Sequence, residues 1–140
     1  MRRCHFLIIA LGILVASAAA VVAANPHFVS GPTFSASGGA LAAAGKIAGL
    51  GNRDVTIVLD ATGVTTCRNR GGNVPPGQTE TVSGQVSNLH PDNGQVSFTV
   101  MTASVSNPCP DRMAPNTMFT SATLTVVQGG QVVLQQTFTS

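Results

Sequence analysis

Two cysteines, Cys67 and Cys109, are the residues of this sequence best able to do covalent chemistry. In an exported protein two such cysteines usually form one disulfide, and closing a loop of about forty residues stabilises a domain by roughly 4 kcal/mol in the chain-entropy model. The alternative is a pair of free thiols that binds a metal ion. His27 and His90 are distant in sequence and lie in no motif with ligand spacing. We therefore predict a Cys67–Cys109 disulfide and no metal site.

The loop that begins at Cys67 carries the second candidate chemistry. Arg68 and Arg70 flank Asn69, and guanidinium groups suit planar anions such as carboxylate or phosphate. Prolines later in the loop stiffen it, which lowers the entropy cost of binding. The disulfide would bring a second loop to the same end of the domain. The candidate binding residues are therefore Arg68, Asn69, Arg70, Asn73, Asp111 and Arg112.

A structural role for the same residues is the alternative to recognition, and the sequence favours it. Asp111 or Asp60 would pair with an arginine in that case. Asn69 and Asn73 would cap turns through hydrogen bonds to the backbone. The two interpretations differ in what they predict for the arginines, which are either paired with carboxylates or free to bind a ligand.

Catalytic motifs do not emerge from the sequence, although an enzyme needs positioned acids, bases or nucleophiles. The carboxylates form no close pair in a motif, and no Gly-x-Ser-x-Gly elbow accompanies the histidines. Gly45-Lys46 lacks the following Ser or Thr of a phosphate-binding loop. Asp92-Asn93-Gly94 begins like a calcium loop, but no acidic ligand follows at the required distance. We predict a protein that is not an enzyme and has no cofactor.

The N-terminus has the layout of a secretory signal peptide. A basic start is followed by an apolar stretch over residues 6–15 and by mostly small residues over 16–24. We place cleavage after Ala24, so that residues 25–140 form the mature, secreted chain. An uncleaved anchor is the alternative, because residues 6–24 carry no charge and about twenty residues span a bilayer. Without Arg2 and Arg3, five basic residues balance five acidic ones, which argues against nucleic-acid binding.

Alternating apolar and polar residues predict the strands. The clearest run is residues 53–66, and others follow over 80–89 and from 96 to about 105. Asn93-Gly94 and Gly129-Gly130 are signals for hairpin turns. Pro32 restricts residues 27–37 to an edge strand or a bulge. Three prolines predict that residues 107–116 form an irregular loop.

Residues 40–50 are ambiguous, since their alanines favour a helix and their glycines oppose one. We predict a strand there. The mature chain then has about seven short strands separated by turn signals, which indicates an all-β domain. We predict a two-sheet antiparallel sandwich, immunoglobulin-like in architecture, with a barrel as the alternative.

Several motifs resemble those of an uncharacterised family of small secreted proteins of high-GC Gram-positive bacteria. They are Asn25-Pro26-His27-Phe28-Val29, residues 45–51, the run Cys67-Arg68-Asn69-Arg70-Gly71-Gly72-Asn73, and Pro75-Pro76-Gly77-Gln78. The resemblance covers most of the mature chain. It implies export and a β-domain, and it implies no catalytic or ligand residues.

The predicted function is that of an extracellular binding or surface module, monomeric and free of the membrane after cleavage. Its partner would be an extracellular protein or a small ligand. A carrier with a small molecule in the sandwich cleft is the alternative, by analogy of fold alone. A carbohydrate-binding module or a hydrolase is less favoured; sugar-stacking sites usually use exposed Trp or Tyr, and the sequence has neither.

Overall fold

The computed structural model describes residues 25–75 and 77–140, and the expected signal peptide, residues 1–24, lies outside them. The described residues contain no helix long and apolar enough to cross a membrane. Seven strands follow one another along the chain. They are β1 (His27–Ser37), β2 (Ala40–Ala48), β3 (Val55–Arg68), β4 (Gln78–Leu89), β5 (Val96–Met101), β6 (Ala114–Gln128) and β7 (Gln131–Thr139).

The strands form two antiparallel sheets, one in the order β1-β2-β5 and the other in the order β4-β3-β6-β7. In an immunoglobulin domain, the first, second and fifth strands likewise share one sheet, and the third, sixth and seventh share the other. The fourth strand here lies beside the third. The predicted seven-strand, immunoglobulin-like sandwich is therefore confirmed.

Alternation in β3 builds one wall of the core, as the sequence predicted. Val55, Ile57 and Leu59 are fully buried, and Leu124 and Val126 of β6 are fully buried beside them. The opposite wall comes from Leu41, Ala43, Ile47, Phe98 and Val100 of the three-stranded sheet. A Thr, Val or Asp between each pair of buried residues in β3 faces outward, so the four-stranded sheet has one apolar and one polar face.

The alanine-rich segment is strand β2, as predicted, and it lies in the middle of its sheet. A Cβ at Gly45 would lie 2.8 Å from the Ser30 carbonyl oxygen and 3.2 Å from the Phe98 ring. Small residues are therefore required where β1 and an aromatic side chain approach the backbone of β2. Tertiary packing overrides the helix propensity of alanine at this position.

Both glycine-containing turns form, but one of them joins different sheets. Gly129-Gly130 connects β6 to β7, and both glycines have positive φ. At Asn93-Gly94, Asp92 and Gln95 exchange two backbone hydrogen bonds of 2.8 and 2.9 Å. The flanking strands β4 and β5 belong to opposite sheets, so the expectation that this turn closes a hairpin between them was wrong. The turn fixes a local reversal of the chain and not the partner of either strand.

The residues that follow β5 connect the two sheets by backbone hydrogen bonds along one side of the sandwich. Thr102 N–H donates to the Leu41 carbonyl at 2.9 Å, and Ala103 N–H donates to the Ser83 carbonyl of β4 at 3.0 Å. A Cβ at Gly84 would overlap the carbonyl group of Met101, so glycine permits this approach. The strand ends at Met101 rather than near residue 105, because the next residues bond to both sheets.

On the opposite side of the sandwich, aromatic side chains fill the gap between β1 and β7. The ring centroids of Phe34 and Phe138 are 5.1 Å apart, and those of Phe28 and Phe138 are 6.3 Å apart. β1 is an edge strand with register shifts on either side of Ser30, which confirms the prediction made from Pro32.

Candidate functional site

The predicted disulfide is present and joins the two irregular loops at one end of the sandwich. Cys67 lies at the end of β3 and Cys109 in the loop that leads to β6, and their Cα atoms are 5.4 Å apart. The bond gathers the candidate residues of both loops at this end of the domain. We call the surface formed by Arg68, Arg70 and Arg112 the arginine end.

Asn69 organises the loop after Cys67. Its side-chain oxygen accepts a hydrogen bond of 2.9 Å from the Asn73 N–H, and its carbonyl accepts one of 3.1 Å from the Gly72 N–H. Gly72 has a φ of +79°, which glycine tolerates best. Asn69 therefore has the turn-capping role that the sequence favoured, whereas Asn73 takes part through its backbone.

The three arginines of this end are exposed, and none pairs with a carboxylate in the described part of the chain. The single contact of a carboxylate with a basic side chain found there is the hydrogen bond of 2.8 Å between His90 Nδ1 and Asp54 Oδ1. The ion pair of an arginine with Asp111 or Asp60, which the structural interpretation required, is absent among these residues. Asp60 lies in mid-strand in β3, and Asp111 is exposed in a turn.

Arg112 occupies a backbone conformation that usually selects glycine. Its φ is +70°, and the Met113 N–H donates to the Pro110 carbonyl at 3.1 Å to close the turn. Arg112 is therefore the third residue of a four-residue turn, where a positive φ favours Gly or Asn. The left-handed conformation costs an L-residue roughly 1–2 kcal/mol. The turn therefore holds the unpaired guanidinium of Arg112 at the surface, although the left-handed backbone of this residue lowers the stability of the fold.

Two clefts flank the arginine end. The larger, of about 430 Å³, lies between the β1–β2 hairpin, residues 105–107 and the start of β6, and its floor includes Thr65, Thr117 and Phe119. A second, of about 300 Å³, lies across Thr65 and Ser106 from the first and includes Glu80. Glu80 accepts hydrogen bonds from Ser106 N at 2.9 Å and from Ser106 Oγ at 3.2 Å, so its carboxylate is engaged in holding the loop.

Two further openings lie away from the arginine end. An apolar cleft of about 200 Å³ opens between the sheets, and its lining includes Phe34, Leu41, Phe119, Ala122 and Phe138. At the far end of the sandwich, a shallow polar depression of about 520 Å³ includes Lys46, His90 and Asp92. Across residues 25–75 and 77–140, no three His, Cys, Asp or Glu side chains gather in an arrangement that could hold a metal ion.

Sequence reasoning missed how β6 begins. Residues 107–116 were expected to form a loop, yet β6 starts at Ala114 and contains Pro115, which pairs with Cys67. A proline fits a strand where its missing N–H faces no partner. The partner strand β7 reaches only as far as Ser121, so the first residues of β6 have β3 on one side and no strand on the other among the described residues.

Comparison with protein-family models, with curated proteins and with solved structures finds no match to this chain. Its class therefore rests on its own structure, a seven-stranded antiparallel sandwich with one disulfide between loops.

Proposed function

We propose that this chain is an exported, non-catalytic binding module that captures an anionic group at the arginine end. The observation that carries the proposal is the set of three exposed guanidinium groups, gathered by the disulfide, for which the described chain supplies no carboxylate partner. Guanidinium groups bind carboxylates and phosphates through two parallel hydrogen bonds, which gives both affinity and orientation.

The distribution of the acidic side chains supports an external anion. Asp54 is paired with His90, and Glu80 is engaged by Ser106. Asp111 alone is a close sequence neighbour of the arginines, so the arginine end has an excess of positive charge, although the charges of the whole mature chain balance. A local cationic surface on a neutral protein gives selectivity without general adhesion to anionic polymers.

The conformation of Arg112 supports a role in recognition. A glycine at this position would relieve backbone strain, and a surface arginine without a partner adds little to stability. Strained residues persist where the structure gains something else from them, commonly at binding sites. The left-handed turn directs a charged side chain into solvent beside the disulfide.

Anion capture can be tested with two double variants that remove the same charge. Labelled poly-L-glutamate is titrated into the mature domain, and fluorescence anisotropy is measured at low salt. Arg68→Gln/Arg70→Gln should weaken binding at least tenfold, whereas Lys46→Gln/Arg53→Gln should change it less than twofold. Melting temperatures of both variants should stay close to that of the parent. Equal losses in the two variants would mean that binding follows net charge, and the assignment of the site would be wrong.

A second candidate function, carriage of a small apolar molecule, is favoured by the cleft that includes Phe34, Leu41 and Phe138. Its volume of about 200 Å³ is below the range of roughly 300–1,000 Å³ typical of ligand pockets, so this function ranks second. Titration with a naphthalene-sized fluorescent probe tests it. Saturable binding that Leu41→Phe abolishes would support a carrier, and the absence of saturation would exclude ligands of that size.

Export is tested separately from binding. The protein collected from the medium of producing cells should begin at Asn25, as measured by intact mass. A mass that includes residues 1–24, or recovery with the membrane fraction alone, would favour the uncleaved anchor.

A further inference from the structure

The first residues of β6 form an open strand edge beside the arginine end. β6 pairs with β3 from Ala114 opposite Arg68 to Gln128 opposite Val55, with one register shift at Thr120. β7 covers β6 only from Gln128 to Ser121, and one further hydrogen bond links Ser140 N–H to the Thr120 carbonyl. Residues 114–119 therefore have a free side in the described chain, which we call the open edge. At 3.4 Å per residue, it is about 20 Å long.

Three observations agree on which backbone groups of the open edge face outward. Thr65 Oγ1 and Thr117 Oγ1 are 2.8 Å apart, and side chains approach most closely at residue pairs that do not exchange backbone hydrogen bonds. The Asn116 carbonyl is directed to β3, where it accepts from Thr66 Oγ1 at 3.4 Å. Pro115, which has no N–H, is tolerated because its nitrogen faces away from β3. The N–H groups of Thr117 and Phe119 therefore point out of the sheet, where a further strand can accept them.

Two other edges of the sandwich, those of β1 and β4, are interrupted or covered, whereas the open edge is not. β1 is interrupted by Pro32 and by two register shifts. The free side of β4 is covered at Ser83, whose carbonyl accepts a hydrogen bond from the Ala103 N–H. Natural sheets usually blunt their edges with charges, prolines or bulges because a bare edge pairs with other chains. The open edge has Pro115 near one end and a register shift at Thr120 just beyond the other, but it has no charged residue, and its Met118 is 68% exposed.

Chain direction and charge select the occupant. Antiparallel pairing is the more common arrangement and is the one that all pairs here adopt. A segment that pairs with β6 in this way runs from Phe119 towards Ala114, parallel to the course of β7. Its C-terminal end then lies beside Ala114, which pairs with Arg68 on its other side, and near Arg112, two residues before Ala114. Positive groups without partners at that end are complementary to a carboxylate at the end of the incoming segment.

We propose that the open edge binds an extended peptide as a fifth strand of the four-stranded sheet, with acidic residues or a terminal carboxylate at the C-terminal end held by the arginine end. The proposal rests on anion capture by the arginines and adds the class of partner. Backbone hydrogen bonds to Thr117 and Phe119 supply affinity for any extended segment, as in other strand-addition complexes. The cleft of about 430 Å³ between the β1–β2 hairpin and β6 receives side chains from one face of the peptide. The arginines fix its direction.

The experiment uses a fluorescein-labelled hexapeptide, Thr-Val-Thr-Val-Asp-Asp, with a free C-terminus and the mature domain. Two analogues carry N-methyl groups on alternate residues, one analogue for each of the two alternate sets. A strand added at one edge directs only one set of amides at its neighbour. One N-methylated analogue should therefore bind at least tenfold more weakly, and the other within about twofold of the parent peptide. An analogue with Lys in place of both Asp residues should lose binding where the arginine end holds side-chain carboxylates, and an analogue with a C-terminal amide should lose it where the arginine end holds the terminal carboxylate.

Amide hydrogen exchange gives the matching readout on the protein. Saturating peptide should slow exchange at Thr117 and Phe119 at least tenfold, and it should leave Asn116 and Met118, whose amides already face β3, within twofold. Thr117→Pro should abolish binding by removing one outward N–H. Should this variant fail to fold, the N-methylated peptides still decide the question with the unaltered domain.

Three other results would each contradict strand addition, anion capture or the choice of a separate peptide as the partner. If both N-methylated analogues bind like the parent while Arg68→Gln/Arg112→Gln loses binding, anion capture stands and strand addition is wrong. If neither this peptide nor poly-L-glutamate binds, both proposals are wrong. If the free domain sediments as a dimer that dissociates in excess peptide, the normal occupant of the open edge is a second copy of this chain and not a separate peptide.

Discussion

Removing the disulfide should cost this domain about a quarter or more of a typical stability of 5–15 kcal/mol. The two cysteines are 42 residues apart in sequence. In the chain-entropy model, that loop corresponds to about 13 cal/mol/K, or about 4 kcal/mol at 25 °C. With an unfolding entropy of about 2.1 cal/mol/K per residue over residues 25–140, the melting temperature of Cys67→Ser/Cys109→Ser should fall by about 16 °C.

Because the chain has no Trp or Tyr, its unfolding gives little change in intrinsic fluorescence, and circular dichroism is the better measurement. Far-UV circular dichroism would follow thermal unfolding of the double variant, of the parent, and of the parent after reduction. The reduced parent should melt close to the variant. Alkylation of the denatured parent should add mass at Cys67 and Cys109 only after reduction. A fall in melting temperature of less than about 4 °C, which corresponds to about 1 kcal/mol, would refute the assignment of this stability to the cross-link.

Three further substitutions test the fold and the site. Gly84→Ala should destabilise the domain by about 1–3 kcal/mol, because the new Cβ overlaps a backbone carbonyl of β5, while Gly71→Ala, which has space, should stay within about 0.5 kcal/mol in the same denaturant titration. Thr102→Val should cost about 1–3 kcal/mol by leaving the buried Leu41 N–H without its acceptor at 3.0 Å, and that amide should exchange faster with solvent. Arg112→Gly should raise stability by about 0.5–1 kcal/mol and weaken binding of poly-L-glutamate, and a loss of stability would refute the claim of backbone strain.

The parts of the fold that local chemistry determines were predictable from the sequence. Apolar and polar residues alternate along β3 because alternate side chains face the core, and this alternation is visible in the sequence itself. The turn at Gly129-Gly130 needs two positive φ values, which only a few residue types accept easily. The disulfide was predicted from two cysteines in a chain that we expect to be exported.

The partners of β4 and β5 were not predictable, because a turn signal carries no information about which sheet receives the next strand. The sheets are set by contacts between residues distant in sequence, including the close approach of the Gly84 backbone to the end of β5. At the candidate site, sequence reasoning identified the arginines and the turn-capping role of Asn69. It offered carboxylate partners that the described structure does not contain, since pairing depends on where Asp60 and Asp111 point after folding.

The disulfide and the open edge have a common physical cause. Beyond the last residue that pairs with β4, Thr65, the end of β3 is paired with β6 alone, so residues 66–68 and 114–116 form a two-stranded ribbon. Such a ribbon is marginally stable in water without a third strand or a covalent bond. The cross-link from Cys67 to the loop that leads into β6 supplies the missing stability, and it does so without covering the free side of β6. Reduction should therefore accelerate amide exchange in this ribbon more than in the core. Reduction should also weaken binding of the acidic peptide under conditions in which the domain is still folded.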